Sequence, residues 1–223
     1  MTLPSLRRWI GTAVLAMPAL LTGCSTPLPA ITLLRMPLRT PLQAPGVANP
    51  APSAPVQSAN TTATQALAVQ LLPVQLAGHL DREALVTASG PGTLNVSDYA
   101  RWAEPLRESV TRLLRHDLEQ QWGADRLWHS GASATQRAAA HQRLRVELTA
   151  LELQPDRANV RLQARWQWET SHRAAAMPVS TLADFTVPVA STDLNAIVLA
   201  HRQALYQLAG RIAASVPAES NGN

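Results

Sequence analysis

Apolar and polar side chains alternate in two runs near the middle of the chain. Three apolar residues alternate with Arg and Glu over residues 144–148, and five alternate with Arg and Gln over 160–168. The apolar members of the second run are Val160, Leu162, Ala164, Trp166 and Trp168. A turn signal at 154–157 separates the runs, so the pattern predicts an antiparallel hairpin with one face exposed to solvent. The leucines at 151 and 153 are out of phase, which predicts a bulge near Thr149-Ala150.

Two other segments show helical spacing. The first starts at Pro105 and ends at Gly123, and its apolar face comprises Leu106, Val110, Leu113, Leu114 and Leu118. The second is predicted to be capped by Thr192, with Asp193 in its first turn. Its apolar stripe comprises Leu194, Ile197, Val198, Leu205, Leu208 and Ile212. Each segment is therefore expected to lay one face on a common core.

The remaining apolar runs predict further strands over 66–76, 84–88 and 185–189, with a turn at 89–92. The sum is an α+β single domain over residues 65–217, with a short tail over 218–223. Its architecture is expected to be a largely antiparallel β-sheet with two long helices packed on one face.

The N-terminus has the order of a secretory signal. Arg7 and Arg8 precede an uncharged apolar run over 10–20, which is too short to span a bilayer. Leu21-Thr22-Gly23-Cys24 follows and resembles the bacterial lipobox, and Cys24 is the only cysteine of the chain. We expect residues 1–23 to be removed and Cys24 to be lipidated. The alternatives are a chance thiol after an ordinary signal and, for the paired arginines, a twin-arginine signal.

Residues 37–64 are rich in Pro, Ala, Ser, Thr and Gln and offer few large side chains for a core. One interpretation is a semi-extended tether between the membrane and the domain. The other depends on residues 24–36, the lipidated N-terminus, because Ile31 to Arg35 is also compatible with a first strand. In that case residues 37–64 form a long loop inside the domain.

Charge and composition exclude several functions. Removing residues 1–23 removes two of the 19 basic residues, so the mature charge is 17 − 15 = +2, and no nucleic-acid partner is implied. A single cysteine excludes intrachain disulfides and Cys-based metal sites. No catalytic motif is present, so we expect no enzyme activity, cofactor or metal. Asp117 and Glu119 are predicted to be surface charges, and His201 an ordinary half-buried residue.

Two charged clusters stand out. Leu80-Asp81-Arg82 precedes the strand at 84–88, and Arg101-Trp102-Ala103-Glu104-Pro105 is predicted to open the first helix. One hypothesis makes both clusters caps and ion pairs inside the domain. The other makes them a protein-binding surface, because Arg and Trp are frequent at interface hot spots.

At these clusters the chain resembles the PqiC (YmbA) family, the auxiliary lipoproteins of ABC-type and MCE-type transport systems. The matching segments are Val69 to Pro73, Leu80-Asp81-Arg82, Leu85-Val86, Arg101 to Leu106 and the Arg165-Trp166 strand. The chain departs from the family pattern at Leu72, Ala77, His79 and Glu83, lacks the paired tyrosines of the first strand, and is longer over 37–64. These departures affect loop geometry.

The resemblance implies a non-enzymatic, lipid-anchored periplasmic partner of an MCE-domain (PqiB-like) protein and its permease or ATPase, and it allows a homo-oligomer. Such a system moves lipids or other hydrophobic compounds between membranes. Ser25 and Thr26 follow Cys24, so by the sorting rules of enteric bacteria the expected location is the outer membrane, facing the periplasm. The alternative function is an outer-membrane assembly lipoprotein that acts as a plug or chaperone of a β-barrel.

Overall fold

The computed structural model of the chain describes residues 30–39, 69–123, 126–128, 142–170 and 180–217. The described residues form nine strands and two helices, which confirms the α+β class. The strands are β1 (Thr32–Leu34), β2 (Val69–Leu71), β3 (Gln75–Leu76), β4 (Ala84–Gly90), β5 (Thr93–Trp102), β6 (Leu127–Trp128), β7 (Gln142–Leu153), β8 (Asn159–Thr170) and β9 (Ser180–Pro188). The helices are α1 (Leu106–Trp122) and α2 (Leu194–Ala214).

Strand β7 is the centre of the sheet. One of its edges pairs antiparallel with β8 along its whole length, and β8 pairs antiparallel with β9. The other edge is shared by three short parallel partners, β2, β3 and β4. At one end of the sheet β4 pairs antiparallel with β5, and β5 pairs parallel with β1. At the other end β2 pairs parallel with β6. The predicted β7–β8 hairpin is confirmed, and so is its bulge, a register shift between Leu148 and Ala150.

The inner face of the sheet and the two helices enclose a single core. Val160, Leu162 and Trp166 are buried as the alternation predicted, and Trp168 packs partly buried against the same cluster. The outer face is polar and carries cross-strand ion pairs, among them Arg165 with Glu147 at 2.5 Å. The Arg161 guanidinium, followed by the Gln163 amide, lowers the pKa of Asp184 to about 2 on this face.

Both helices have the predicted apolar faces, but their ends differ in detail. The five apolar residues predicted for α1 are all buried, and Gly123 ends the helix with a φ of 93°, a conformation that favours glycine. Asp193, not Thr192, caps α2, because its carboxylate accepts a hydrogen bond from the Ala196 N–H at 2.8 Å.

Two sequence predictions are wrong, and one strand was not predicted. The strand expected over 66–76 is interrupted around Pro73, which has no N–H to donate, and the neighbouring Val74 N–H bonds to Thr111 Oγ1 of α1 at 3.2 Å. Strand β5 was not predicted, because the alternation of Leu94 and Val96 with polar residues is short and this half of the strand is exposed. Arg101 and Trp102 end this strand, so they do not open α1, which begins at Leu106.

The described residues contain no helix long and apolar enough to cross a membrane. The predicted signal, Cys24, most of the 37–64 segment and the 218–223 tail lie outside the described residues.

Candidate functional site

The two charged clusters meet in space although twenty residues separate them in the chain. The backbone N–H of Trp102 donates to the backbone carbonyl of Glu83 at 2.6 Å, because the end of β5 lies beside the start of β4. Leu80 and Trp102 point inward and are 2% and 6% exposed, so both belong to the core. The clusters therefore combine an apolar inner side with a charged outer side.

Three ion pairs cover the outer side. Arg107 pairs with Asp81, Arg112 pairs with Glu104, and Arg101 lies 3.8 Å from Glu83. Both Arg107 and Arg112 project from α1. Pro105 precedes the helix, and its carbonyl accepts the N–H of Glu108 at 3.0 Å. We call the set Asp81, Arg82, Glu83, Arg101, Glu104, Arg107 and Arg112 the motif surface.

The structure divides the sequence-predicted site residues between two roles. Trp102 is not available as an interface anchor, because it is buried and its ring meets that of His201 at 5.6 Å edge to face. Arg82 is exposed, and no acidic side chain of the described residues lies within ion-pair distance of it. The charged members thus remain accessible to a partner, while Leu80 and Trp102 hold the two clusters to the core.

A buried ion pair was missed by the sequence analysis. Asp117 was expected on the surface, but it is 2% exposed and its carboxylate binds the guanidinium of Arg202, which is 1% exposed. The spacing of apolar residues along each helix could have revealed that both residues are buried. Asp117 lies seven positions after Val110 and Arg202 four after Val198, so each falls on the apolar stripe of its helix.

His201 is fully buried rather than half-buried. Its Nδ1 lies 2.8 Å from the Ile197 carbonyl oxygen, and its Nε2 has no hydrogen-bond partner among the described residues. Burial lowers the pKa of His201 to about 4. The neutral ring is therefore the form that the core accommodates.

A small cavity lies at the opposite end of the helices from the motif surface. Its volume is about 200 Å³, and it is lined by Val69, Trp122, Arg126, Ala213 and Val216. Trp122 stands 6.1 Å from Trp168 in a tilted arrangement, and the indole N–H groups of Trp166 and Trp168 both reach Ser215 Oγ. Within the described ranges, no three His, Cys, Asp and Glu side chains are gathered as metal ligands would be.

Residues 50–213 match the model of a family described as ABC-type transport auxiliary lipoprotein component. The chain belongs to this family. The resemblance to PqiC-like proteins is thereby confirmed. No curated protein matches the chain in sequence.

Solved structures share the fold of this chain. A crystal structure of an uncharacterized protein superposes with a TM-score of 0.59 at 14% identity and covers 68% of this chain and 92% of its own. Protein XCC0632 from Xanthomonas campestris, of the DUF330 family, superposes with a TM-score of 0.53 at 16% identity and covers 66% and 81%. At these identities the likeness shows the fold alone.

Proposed function

We propose that the protein is a periplasmic lipoprotein, held on the outer membrane through Cys24, which serves as the non-enzymatic auxiliary component of an MCE/ABC-type system for lipids or other hydrophobic compounds. The observation that carries this proposal is the family match over residues 50–213, which joins a lipoprotein to ABC-type transport. The lipobox at Leu21 to Cys24 supplies the attachment point within the same chain.

The position of β1 supports a short anchor. Strand β1 starts eight residues after Cys24 and pairs with β5, with Leu34 opposite Trp102. Because β1 and β2 both belong to the sheet, we infer that the 37–64 segment is a long loop inside the domain and not a tether to the membrane. We therefore expect the domain to lie within a few residues' reach of the bilayer.

Metabolic labelling tests the anchor. The full chain, produced in cells that are supplied with a palmitate analogue, should carry the label, and Cys24→Ala should abolish it. Membrane fractionation should place the labelled protein with the outer membrane. A chain that keeps its label after the substitution, or that fractionates only with the inner membrane, contradicts this part of the proposal.

The motif surface is the proposed contact for the MCE-domain protein. Its ion pairs are exposed or half-exposed, so each contributes little to folding and can be exchanged for pairing with a partner. Membrane anchorage raises the effective concentration of the two proteins, so a modest interface is enough. Repeated copies around a ring of MCE subunits would add to this effect.

Charge reversal separates the binding role from a structural role. The double variant Arg82→Glu/Arg101→Glu should lose crosslinked capture of the MCE-domain protein from membranes, with its melting temperature nearly unchanged. Arg143→Glu is the matched control, because Arg143 is exposed on β7, away from the motif surface. Unfolding of the double variant would assign the surface a structural role, and capture of an outer-membrane barrel in place of an MCE protein would favour the plug or chaperone function.

A further inference from the structure

The β4–β5 hairpin projects beyond the rest of the sheet. Strand β4 pairs with β7 only at Thr87, and β5 pairs with β1 only from Ala100 to Trp102. Among the described residues, the outer edge of β5 before Ala100 therefore has no neighbouring strand. Leu94, Val96 and Tyr99 on this part of β5 are 40%, 47% and 50% exposed.

The tip of this hairpin carries no charge. Residues 84–97 contain no Asp, Glu, Lys or Arg, although 15% of the chain is charged. Leu94 lies opposite Ala88 and Val96 opposite Val86, so both exposed side chains lie on the same face of the hairpin. An uncharged projection with an apolar face is suited to a region where charged groups are costly.

The direction of β1 relates the hairpin to the anchor. Strand β5 runs from the hairpin tip toward the body of the domain, and β1 runs parallel to it. The chain that comes from Cys24 therefore enters β1 from the side of the hairpin tip. Ile31, one residue before the paired segment, is 56% exposed and adds an apolar side chain on that side.

The reach of the chain between Cys24 and β1 agrees with the length of the unpaired part of β5. Thr32 lies eight positions after Cys24, which allows a span of at most about 26–29 Å. Ala100, the partner of Thr32, lies seven positions after Thr93, and a strand of that length measures about 23 Å. The hairpin tip thus extends back toward the anchored cysteine nearly as far as the anchor chain can reach.

We propose that the tip of the β4–β5 hairpin rests in the membrane–water interface and is a second membrane contact beside the lipid on Cys24. The inference rests on the proposed lipidation. Leu94 and Val96 enter the interface, and Tyr99 lies at the level of the headgroups, where tyrosine is enriched in membrane proteins. Two contacts fix the orientation of the domain. Arg101 is at the far end of β5, so the motif surface faces away from the bilayer toward a periplasmic partner.

Site-directed fluorescence tests this contact in the lipidated full chain. Leu94→Cys is labelled with an environment-sensitive dye and reconstituted into vesicles of phosphatidylethanolamine and phosphatidylglycerol that contain a doxyl-labelled lipid. The dye at residue 94 should lose most of its emission to the doxyl group. Val96→Cys, on the same face, should behave alike. Leu182→Cys is the matched control, because Leu182 is a 76% exposed leucine on β9 at the other side of the sheet, and its dye should keep its emission.

The chain without an introduced cysteine distinguishes the two proposals. Its only cysteine should take no dye, because the thiol of Cys24 is acylated. Labelling of that chain would overturn the lipid anchor, and with it the proposed function. If Cys24 is protected but the dyes at 94, 96 and 182 remain equally unquenched in vesicle-bound protein, the hairpin contact is overturned. The dye at residue 94 could instead be shielded from water without being quenched by the doxyl group, to an extent that rises with the density of protein in the vesicles. That result would mean that the hairpin contacts a second copy of the chain, and it would also overturn the membrane contact.

Discussion

Arg202 of α2 and Asp117 of α1 form a two-pronged ion pair in the interior between the helices. The guanidinium Nη1 donates to Oδ2 at 2.7 Å, and Nη2 donates to Oδ1 at 2.5 Å. The same guanidinium donates to the carbonyl oxygens of Pro37 at 2.9 Å and Leu38 at 2.8 Å. One side chain therefore holds together both helices and the segment that follows β1.

Replacing Arg202 with Met should destabilise the domain strongly. The change leaves the Asp117 carboxylate buried without its partner and frees two carbonyl groups, and breaking a buried pair on one side typically costs about 3–5 kcal/mol. Urea unfolding followed by tryptophan fluorescence measures the free energy. Arg145→Met is the control, because Arg145 forms a half-exposed pair with Glu169 on the outer face and its loss should cost only about 1 kcal/mol. Equal losses in the two variants would show that the interior pair has no special role.

Arg202→Lys should keep the fold but loosen β1. Lysine retains the charge but lacks the planar fork that reaches a carboxylate and two carbonyls at once. The Ala103 N–H donates to the Leu34 carbonyl at 2.8 Å, so its hydrogen exchange reports on the attachment of β1. We expect that amide to exchange about tenfold faster, which corresponds to about 1.4 kcal/mol in opening free energy. The Ala77 amide, which bonds to the Leu148 carbonyl, should be unchanged.

Trp166→Ala should lower the melting temperature sharply, whereas Arg165→Ala should change it little. Trp166 is buried on the inner face and donates its indole N–H to Ser215 Oγ at 2.9 Å, so truncation costs about 3–5 kcal/mol. Arg165 points to the outer face and pairs with Glu147 in solvent, which contributes less than about 1 kcal/mol. Calorimetry on both variants checks the face assignment, and small, similar shifts would refute it.

His201 should make folding stability fall as the solution becomes acidic. Burial lowers the pKa of the folded-state imidazole from 6.5 to about 4, so the unfolded chain takes up the proton more readily. The contribution is fully present above about pH 6.5 and is lost as the pH falls toward 4, by about 3 kcal/mol at most.

His201→Met isolates this contribution, since methionine fills similar volume and does not titrate. Urea unfolding at several pH values should show a smaller decline for the variant than for the native chain between pH 6.5 and 4. Carboxylates titrate in both proteins and cancel in the difference. Parallel curves for the two proteins would mean that His201 is protonated equally in the folded and unfolded chains.

The local patterns of the sequence are sufficient for the hairpin, its bulge and both helices. Alternation over 160–168 fixes which side chains of β8 point inward, because a strand reverses its faces at every residue. The apolar stripe and Gly123 likewise set the inner face and the end of α1. The family, too, is readable from motifs that lie close together in the chain.

Only the tertiary structure decided the contacts between distant segments. Strand β1 is too short to show a period, and it is placed by pairing with β5 some seventy residues later. The two charged clusters meet because β4 and β5 are neighbours, and this turns Trp102 inward and leaves Arg82 outside. The spacing of Asp117 and Arg202 places each on the apolar stripe of its helix, but only the packing of α1 against α2 shows that they pair, since a charge is retained in a core only when its partner arrives from elsewhere.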